Sequence, residues 1–282
     1  MNVWLFPGQP LRCEPLGELT DDLLELDQLC HAAVGYDLVN CLPLDASAMS
    51  PHTALQVHGV AASLYRARCL IKTGQHPDLL AEHSLGIYAS LAAAGCISEQ
   101  DALTLVTGIG RCMSSMANSQ EFALGCPIGL TVDPVTAAAR NNGVYVANYN
   151  TSRHFLLAGE KQRIESALAE CQAAGAFSVS SFPCEAPLHT PLMAELGNEL
   201  AAIVAEYCFS EPQVPLIESL GQTRLTAAAI PAFLVDELQQ PVYWERTWKA
   251  VRAAGVSRCI EVGSGQALTK FNRWIDSEAG TL

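Results

Sequence analysis

The stretch Ala81-Glu82-His83-Ser84-Leu85-Gly86-Ile87-Tyr88 decides how this chain is read. Leu79 and Leu80 precede it as a short apolar run, and the Ala-rich Ala89-Ser90-Leu91-Ala92-Ala93-Ala94-Gly95 follows it. The pattern predicts a strand or loop, a sharp turn at Ser84, and a helix closed by a C-terminal glycine. A serine at such a turn is held away from the backbone. Its hydroxyl lies at the N-terminus of the following helix, where unpaired N–H groups and the helix dipole favour negative charge. Turns of the form Gly-x-Ser-x-Gly present a serine nucleophile in this way. Here Gly86 keeps the second glycine, and Glu82 stands where the first belongs. By itself the stretch also fits a serine that merely caps a helix.

Working outward, three further motifs stand in a fixed order around Ser84. Phe6-Pro7-Gly8-Gln9 opens the chain, with Val3-Trp4-Leu5-Phe6 reading as a buried strand broken by Pro7-Gly8. Leu188-His189-Thr190-Pro191-Leu192-Met193 lies well downstream, with His189 flanked by Pro187 and Pro191 in a segment biased toward extended backbone. Glu261-Val262-Gly263-Ser264-Gly265-Gln266-Ala267-Leu268 comes near the C-terminal end. In this order the four motifs resemble those of the malonyl-CoA:acyl carrier protein transacylase family, the acyltransferases of fatty-acid and polyketide synthesis. The resemblance runs over nearly the whole chain.

The resemblance implies an α/β fold: a hydrolase-like large domain with a parallel sheet, over residues 1–120 and 187–282, and an inserted small ferredoxin-like α+β subdomain over 121–186. It also implies roles for particular residues. Ser84 would be the nucleophile and His189 the general base. The backbone N–H groups of Gln9 and Leu85 would hold the oxyanion formed during acyl transfer. Ile109, Met113, His83 and Asn150 would surround the acyl group, and Asn148 and Asn150 match an Asn-x-Asn stretch beside that pocket. Glu237 falls where the family's main-chain carbonyl orients the histidine. The implied substrates are acyl-CoA and a phosphopantetheine-bearing acyl carrier protein, with no separate cofactor and no metal.

One position departs from the family in a way that bears on the substrate. Malonyl-transferring members carry an arginine, followed by Gly and a nearby methionine, that grips the malonyl carboxylate with two hydrogen bonds. The matching run here is Ile109-Gly110-Arg111-Cys112-Met113. Ile109 takes the arginine's place. Arg111 is two residues on, and residues two apart do not share a helix face. A malonyl carboxylate would lie buried without a counter-ion, at a cost of several kcal/mol. A neutral acyl group is expected instead.

Composition sets the outer bounds. The chain has 282 residues, 50% of them hydrophobic, which is enough for a full core in one large domain or one domain with an insert. A net charge of −13 argues against nucleic acid. No apolar run is long enough to span a membrane, and the N-terminus lacks the basic region of a signal peptide. The 11 cysteines are scattered without Cys-x-x-Cys pairs, which fits reduced thiols and a cytoplasmic protein.

Helices are expected over 18–41, Thr53–Thr73 and Ser98–Met116, the last opened by a Ser98/Asp101 cap. In the middle of the chain the texture predicts strands at Val144–Asn150, Phe155–Gly159 and Phe177–Ser180, with a helix from Glu160 to Gly175. From Trp244 to Trp274, six basic residues (Arg246, Lys249, Arg252, Arg258, Lys270 and Arg273) face only Glu245 and Glu261. This excess fits either solvated helix faces or a docking patch for a carrier protein or CoA phosphates.

Three functions share these motifs. One is acyl transfer between CoA and carrier thiols through an acyl-serine. A second is hydrolysis of acyl carrier thioesters on the same scaffold. The third is a non-catalytic carrier-binding module, for which Glu82 and Pro10 beside the reacting centre speak, and against which the pairing of Ser84 with His189 speaks.

Overall fold

The structure is a computed structural model and describes residues 1–118 and 120–280. In chain order the first part comprises β1 (Asn2–Phe6), α1 (Asp21–Val34), a small hairpin of β2 (Tyr36–Asp37) and β3 (Leu42–Pro43), α2 (Pro51–Lys72), β4 (Leu79–Glu82), α3 (Gly86–Ala93) and α4 (Glu99–Ser114). The middle part comprises β5 (Phe122–Ile128), α5 (Val132–Asn142), β6 (Tyr145–Thr151), β7 (His154–Glu160), α6 (Lys161–Ala173) and β8 (Ser178–Cys184). The last part comprises α7 (Gly197–Val204), β9 (Leu216–Ile217), α8 (Ile230–Gln239), α9 (Trp244–Ala253), β10 (Arg258–Glu261) and α10 (Ala267–Glu278).

Two sheets divide the labour. Strands β10-β1-β4-β9 form a parallel sheet, with Leu5 opposite Glu261 on one side and Ala81 on the other. Parallel strands covered by helices read as continuous apolar runs, and Val3, Trp4, Leu5 and Phe6 are all buried. Helices α2, α3 and α4 pack on one face in a core that includes Phe6, Leu80, Leu91 and Val106; α9 and α10 cover the other face through Trp244, Trp248 and Ile275. The second sheet is antiparallel, in the order β6-β7-β5-β8, and α5 and α6 close it from one side through Val135, Ile164 and Leu168. Its β-α-β-β-α-β order is that of a ferredoxin-like unit.

Three expectations from the sequence are revised here. The first helix stops at Val34, because Gly35 adopts φ +69° and caps the carbonyls of Cys30 and His31; the hairpin of β2 and β3 then occupies the rest of 18–41. The inserted unit carries two further elements, β5 and α5, ahead of the expected strand–strand–helix–strand. The third expected strand runs on to Cys184, because the whole of β8 pairs with β5, from Ser178 opposite Ile128 to Cys184 opposite Phe122. All eleven cysteines are free. Among the described residues no helix is long and apolar enough to cross a membrane.

Candidate active site

Strand β4 ends at Glu82, and the chain reverses sharply before α3. Ser84 sits at the reversal with φ +53°, a left-handed conformation that costs a non-glycine residue energy and that must be held by its surroundings. The hold is visible on both sides. The His83 amide donates to the Phe6 carbonyl at 3.0 Å, and the Ile87 amide donates to the Ser84 carbonyl at 2.9 Å. Gly86 is required for another reason: a Cβ there would lie 2.2 Å from the Phe6 carbonyl oxygen, so only a residue without a side chain lets α3 start against β1.

The candidate base comes from a distant part of the chain. Ser84 Oγ lies 2.6 Å from His189 Nε2. His189 Nδ1 donates to the Glu237 carbonyl at 2.6 Å, and the His189 amide donates to the Leu238 carbonyl at 2.8 Å. Both acceptors belong to the last turn of α8, where helix carbonyls have no partner of their own. The end of α8 thus orients the ring and fixes its tautomer: Nδ1 carries the proton and Nε2 is free to accept from Ser84. His189 also has a positive φ, +60°. Burial pushes its imidazole down to about 4, outweighing the Glu237 carbonyl that favours the charged form, so the ring is a neutral acceptor at neutral pH.

A small cavity opens beside Ser84. Gln9, Leu85, Ile109 and Met113 line it, as the sequence leads one to expect, together with Glu237. Ile109 and Met113 are each 1% exposed and present an apolar wall from α4, whereas Arg111 is exposed. Among the described residues no lysine or arginine lines the cavity.

His83 and Asn150 are placed elsewhere. Neither lines this cavity; His83 Nε2 and Asn150 Oδ1 are 2.9 Å apart, and the Asn150 amide lies 3.1 Å from His154 Nδ1. The His83 ring packs edge-on against Trp244. These contacts join the turn at Ser84 to β6 and β7 of the antiparallel unit. Glu82 is likewise a fastener: it is fully buried, and its Oε1 accepts from the Ser219 amide at 2.7 Å, tying β4 to the loop after β9.

Sequence reasoning passed over Gln56, Tyr88 and Val106, which also line the cavity. Tyr88 could have been found, since it lies in the first turn of the helix that follows Ser84. Gln56 carried a signal too, as a polar residue at the start of the buried run Gln56–Leu64 of α2.

The six basic residues of 244–274 are all exposed. Three have partners: Arg246 lies over the Tyr243 ring, Lys249 pairs with Glu245, and Arg252 lies 3.7 Å from Asp276.

A strained serine, a neutral histidine oriented by a helix end and a cavity walled on one side by Ile109 and Met113 make up the candidate acyl-transfer site. An acyl transferase domain model matches residues 37–271, and the chain belongs to that family. Within it, the chain is similar to the malonyl CoA-acyl carrier protein transacylases, and it is an acyltransferase of that type. It is 31% identical to the transacylase of Escherichia coli K12 over 97% of this chain and 92% of the relative. It is 34% identical to that of Salmonella typhimurium over 72% of this chain and 67% of the relative. The structure of the Coxiella burnetii transacylase superposes with a TM-score of 0.89 at 27% identity, covering 98% of this chain and 91% of that one. A type II polyketide transacylase in complex with its acyl carrier protein, PlMCAT:AntF, gives a TM-score of 0.87 at 27% identity over 98% and 93%.

Proposed function

We propose that this acyltransferase moves a non-carboxylated acyl group from CoA to the phosphopantetheine thiol of an acyl carrier protein through an ester on Ser84. The observation that carries the reading is the contact of Ser84 with a neutral His189 at the mouth of a cavity without a cation. In the first half-reaction Ser84 Oγ attacks the thioester carbon while its proton passes to His189 Nε2. The carbonyl oxygen becomes an oxyanion, facing the N–H groups of Gln9 and Leu85. Collapse breaks the C–S bond, and the leaving thiolate takes the proton from His189. The carrier thiol then repeats the steps in reverse, giving ping-pong kinetics.

Ile109 sets the preference against malonyl. It occupies the wall where a carboxylate would need a cation, and Arg111 is exposed instead. The name of the complex above supports the carrier as partner, and the exposed Arg258, Lys270 and Arg273 offer charge complementary to an acidic carrier.

The test is intact mass after incubation with acyl-CoA. Acetyl- or butyryl-CoA should add one acyl group, malonyl-CoA little, and Ser84→Ala none. Unchanged acylation of Ser84→Ala refutes the nucleophile, and preferred malonylation refutes the acyl preference. Release of the acyl group that is no faster with carrier thiol than with water assigns hydrolysis instead.

A further inference from the structure

The cavity beside Ser84 holds more polar chemistry than serine acylation uses. Gln9, Gln56, Tyr88 and Glu237 line it, and each has a buried side-chain oxygen without a hydrogen-bond partner. These oxygens are Oε1 of the two glutamines, the Tyr88 hydroxyl and Oε2 of Glu237. Three of the residues are nearly sealed from solvent: Gln56 is 3% exposed, Tyr88 2% and Glu237 1%. Leaving one buried polar group unpaired costs about 1–3 kcal/mol. Four such oxygens belong to residues around one cavity, and Oε2 of Glu237 also lies 3.7 Å from His189 Nδ1.

The charge of the cavity wall selects among occupants. Burial and the neighbouring Glu82 carboxyl hold the Glu237 side chain well above the ordinary carboxyl range, so it is protonated. Burial likewise keeps the Tyr88 phenol protonated. The wall is then neutral and both donates, through Tyr88 and Glu237, and accepts, through the glutamine oxygens. An anion finds no cation there. An ammonium would be stripped of water against a neutral acid. A hydroxyl satisfies both kinds of neighbour, since it donates one hydrogen bond and accepts two.

We propose that the cavity selects a short acyl chain bearing a hydroxyl group, held by Gln56, Tyr88 and Glu237 while its thioester carbon lies at Ser84. This inference rests on the reading of the cavity as the acyl pocket and names its substrate class.

The experiment compares 2-hydroxybutyryl-, 3-hydroxybutyryl-, butyryl-, 3-aminobutyryl- and malonyl-CoA with the full chain, reading the rate of mass addition at Ser84. One hydroxybutyryl thioester should outpace butyryl by about tenfold or more, because a site that hydrogen-bonds a substrate hydroxyl rejects the analogue lacking it. Tyr88→Phe and Gln56→Leu should each lower that ratio. Because the ratio is taken between two substrates in one variant, partial loss of folded protein cancels. Butyryl acylating as fast as both hydroxy forms overturns the proposal, as does a preference for the amino or malonyl thioester, or a ratio unmoved in both variants. An adduct from none of the five overturns the acyltransferase reading beneath it.

Discussion

At the scale of single residues, the proposed catalysis rests on a proton position. His189 gives its Nδ1–H to the Glu237 carbonyl, so Nε2 faces Ser84 unprotonated, and burial holds the ring down to about 4. Two outcomes follow. The acid limb of kcat/KM for acylation should fall near pH 4 and not near the ordinary histidine value of about 6.5. The sign follows from the base being active only when neutral: lowering pH through its folded-state value removes it. A limb centred near 6.5 would mean the ring is far more solvated than the structure has it. His189→Ala should lower acylation by about 10²–10⁴-fold, the usual worth of a positioned general base, with the fold retained by circular dichroism. The Glu237 side chain is dispensable for orientation, because its main-chain carbonyl is the acceptor. Glu237→Gln should therefore leave the His189 limb of the pH profile in place, whereas a limb displaced by a full unit would assign the carboxyl a direct part.

At the scale of elements, the site exists because α3 starts hard against β1. A Cβ on residue 86 would meet the Phe6 carbonyl at 2.2 Å, and backbone on both sides leaves nothing to give. Gly86→Ala should destabilise the protein by roughly 3 kcal/mol or more, read as a lowered denaturation midpoint or loss of soluble protein. The wall supplied by α4 is open to redesign. Ile109→Arg should raise malonyl-CoA use relative to butyryl-CoA, and pairing it with Glu237→Gln should raise it further, because a new guanidinium in the same cavity favours the ionised form of the Glu237 carboxyl, which then competes for it. A double variant no better than the single would show that Glu237 and residue 109 do not interact. This wall was legible in the sequence because Ile109 and Met113 are four apart and Arg111 is not on their face. The turn at Ser84 was legible from Gly86 and the Ala-rich helix after it. The elements of the inserted unit were less so. Strand β5 contains Gly125 and Pro127, which read as breakers; the proline is accommodated because the pairing to β7 skips from Gly125 to Ile128. Helix α5 buries only Val135, Ala138 and Ala139, too weak an apolar stripe to stand out until Gly143 is seen capping it at φ +64°. The pocket's polar lining was hidden for a different reason: Gln56, Tyr88 and Glu237 come from three helices, α2, α3 and α8, and no spacing in the chain announces that they meet.

At the scale of the whole molecule, burial of titratable groups couples stability to pH. Five of the 7 histidines (His52, His58, His83, His154 and His189) are pushed below their ordinary value, each chiefly by desolvation. As pH falls below about 6.5 the unfolded chain takes up protons at these rings and the folded chain does not, so stability is lost on the way down. For His154 and His189 the folded form resists to about 4, which makes each worth about 3 kcal/mol across the window. Glu82 and Glu237 act with the opposite sign. Burial raises both, so their contribution is present below the unfolded carboxyl value of 4.5 and is lost as pH rises toward the folded one. Between about pH 5 and pH 7 the two effects oppose each other, and five imidazoles stand against two carboxyls. The thermal midpoint should therefore climb across that window by scanning calorimetry. Glu82→Gln keeps an acceptor oxygen for the Ser219 amide and removes one of the opposing groups, so it should steepen the climb. A midpoint that falls from about pH 5 to pH 7 in the unaltered chain would mean that the carboxyl pair outweighs the histidines. The buried Glu82 and Glu237 carboxyls would then be the dominant store of proton-linked energy in the fold.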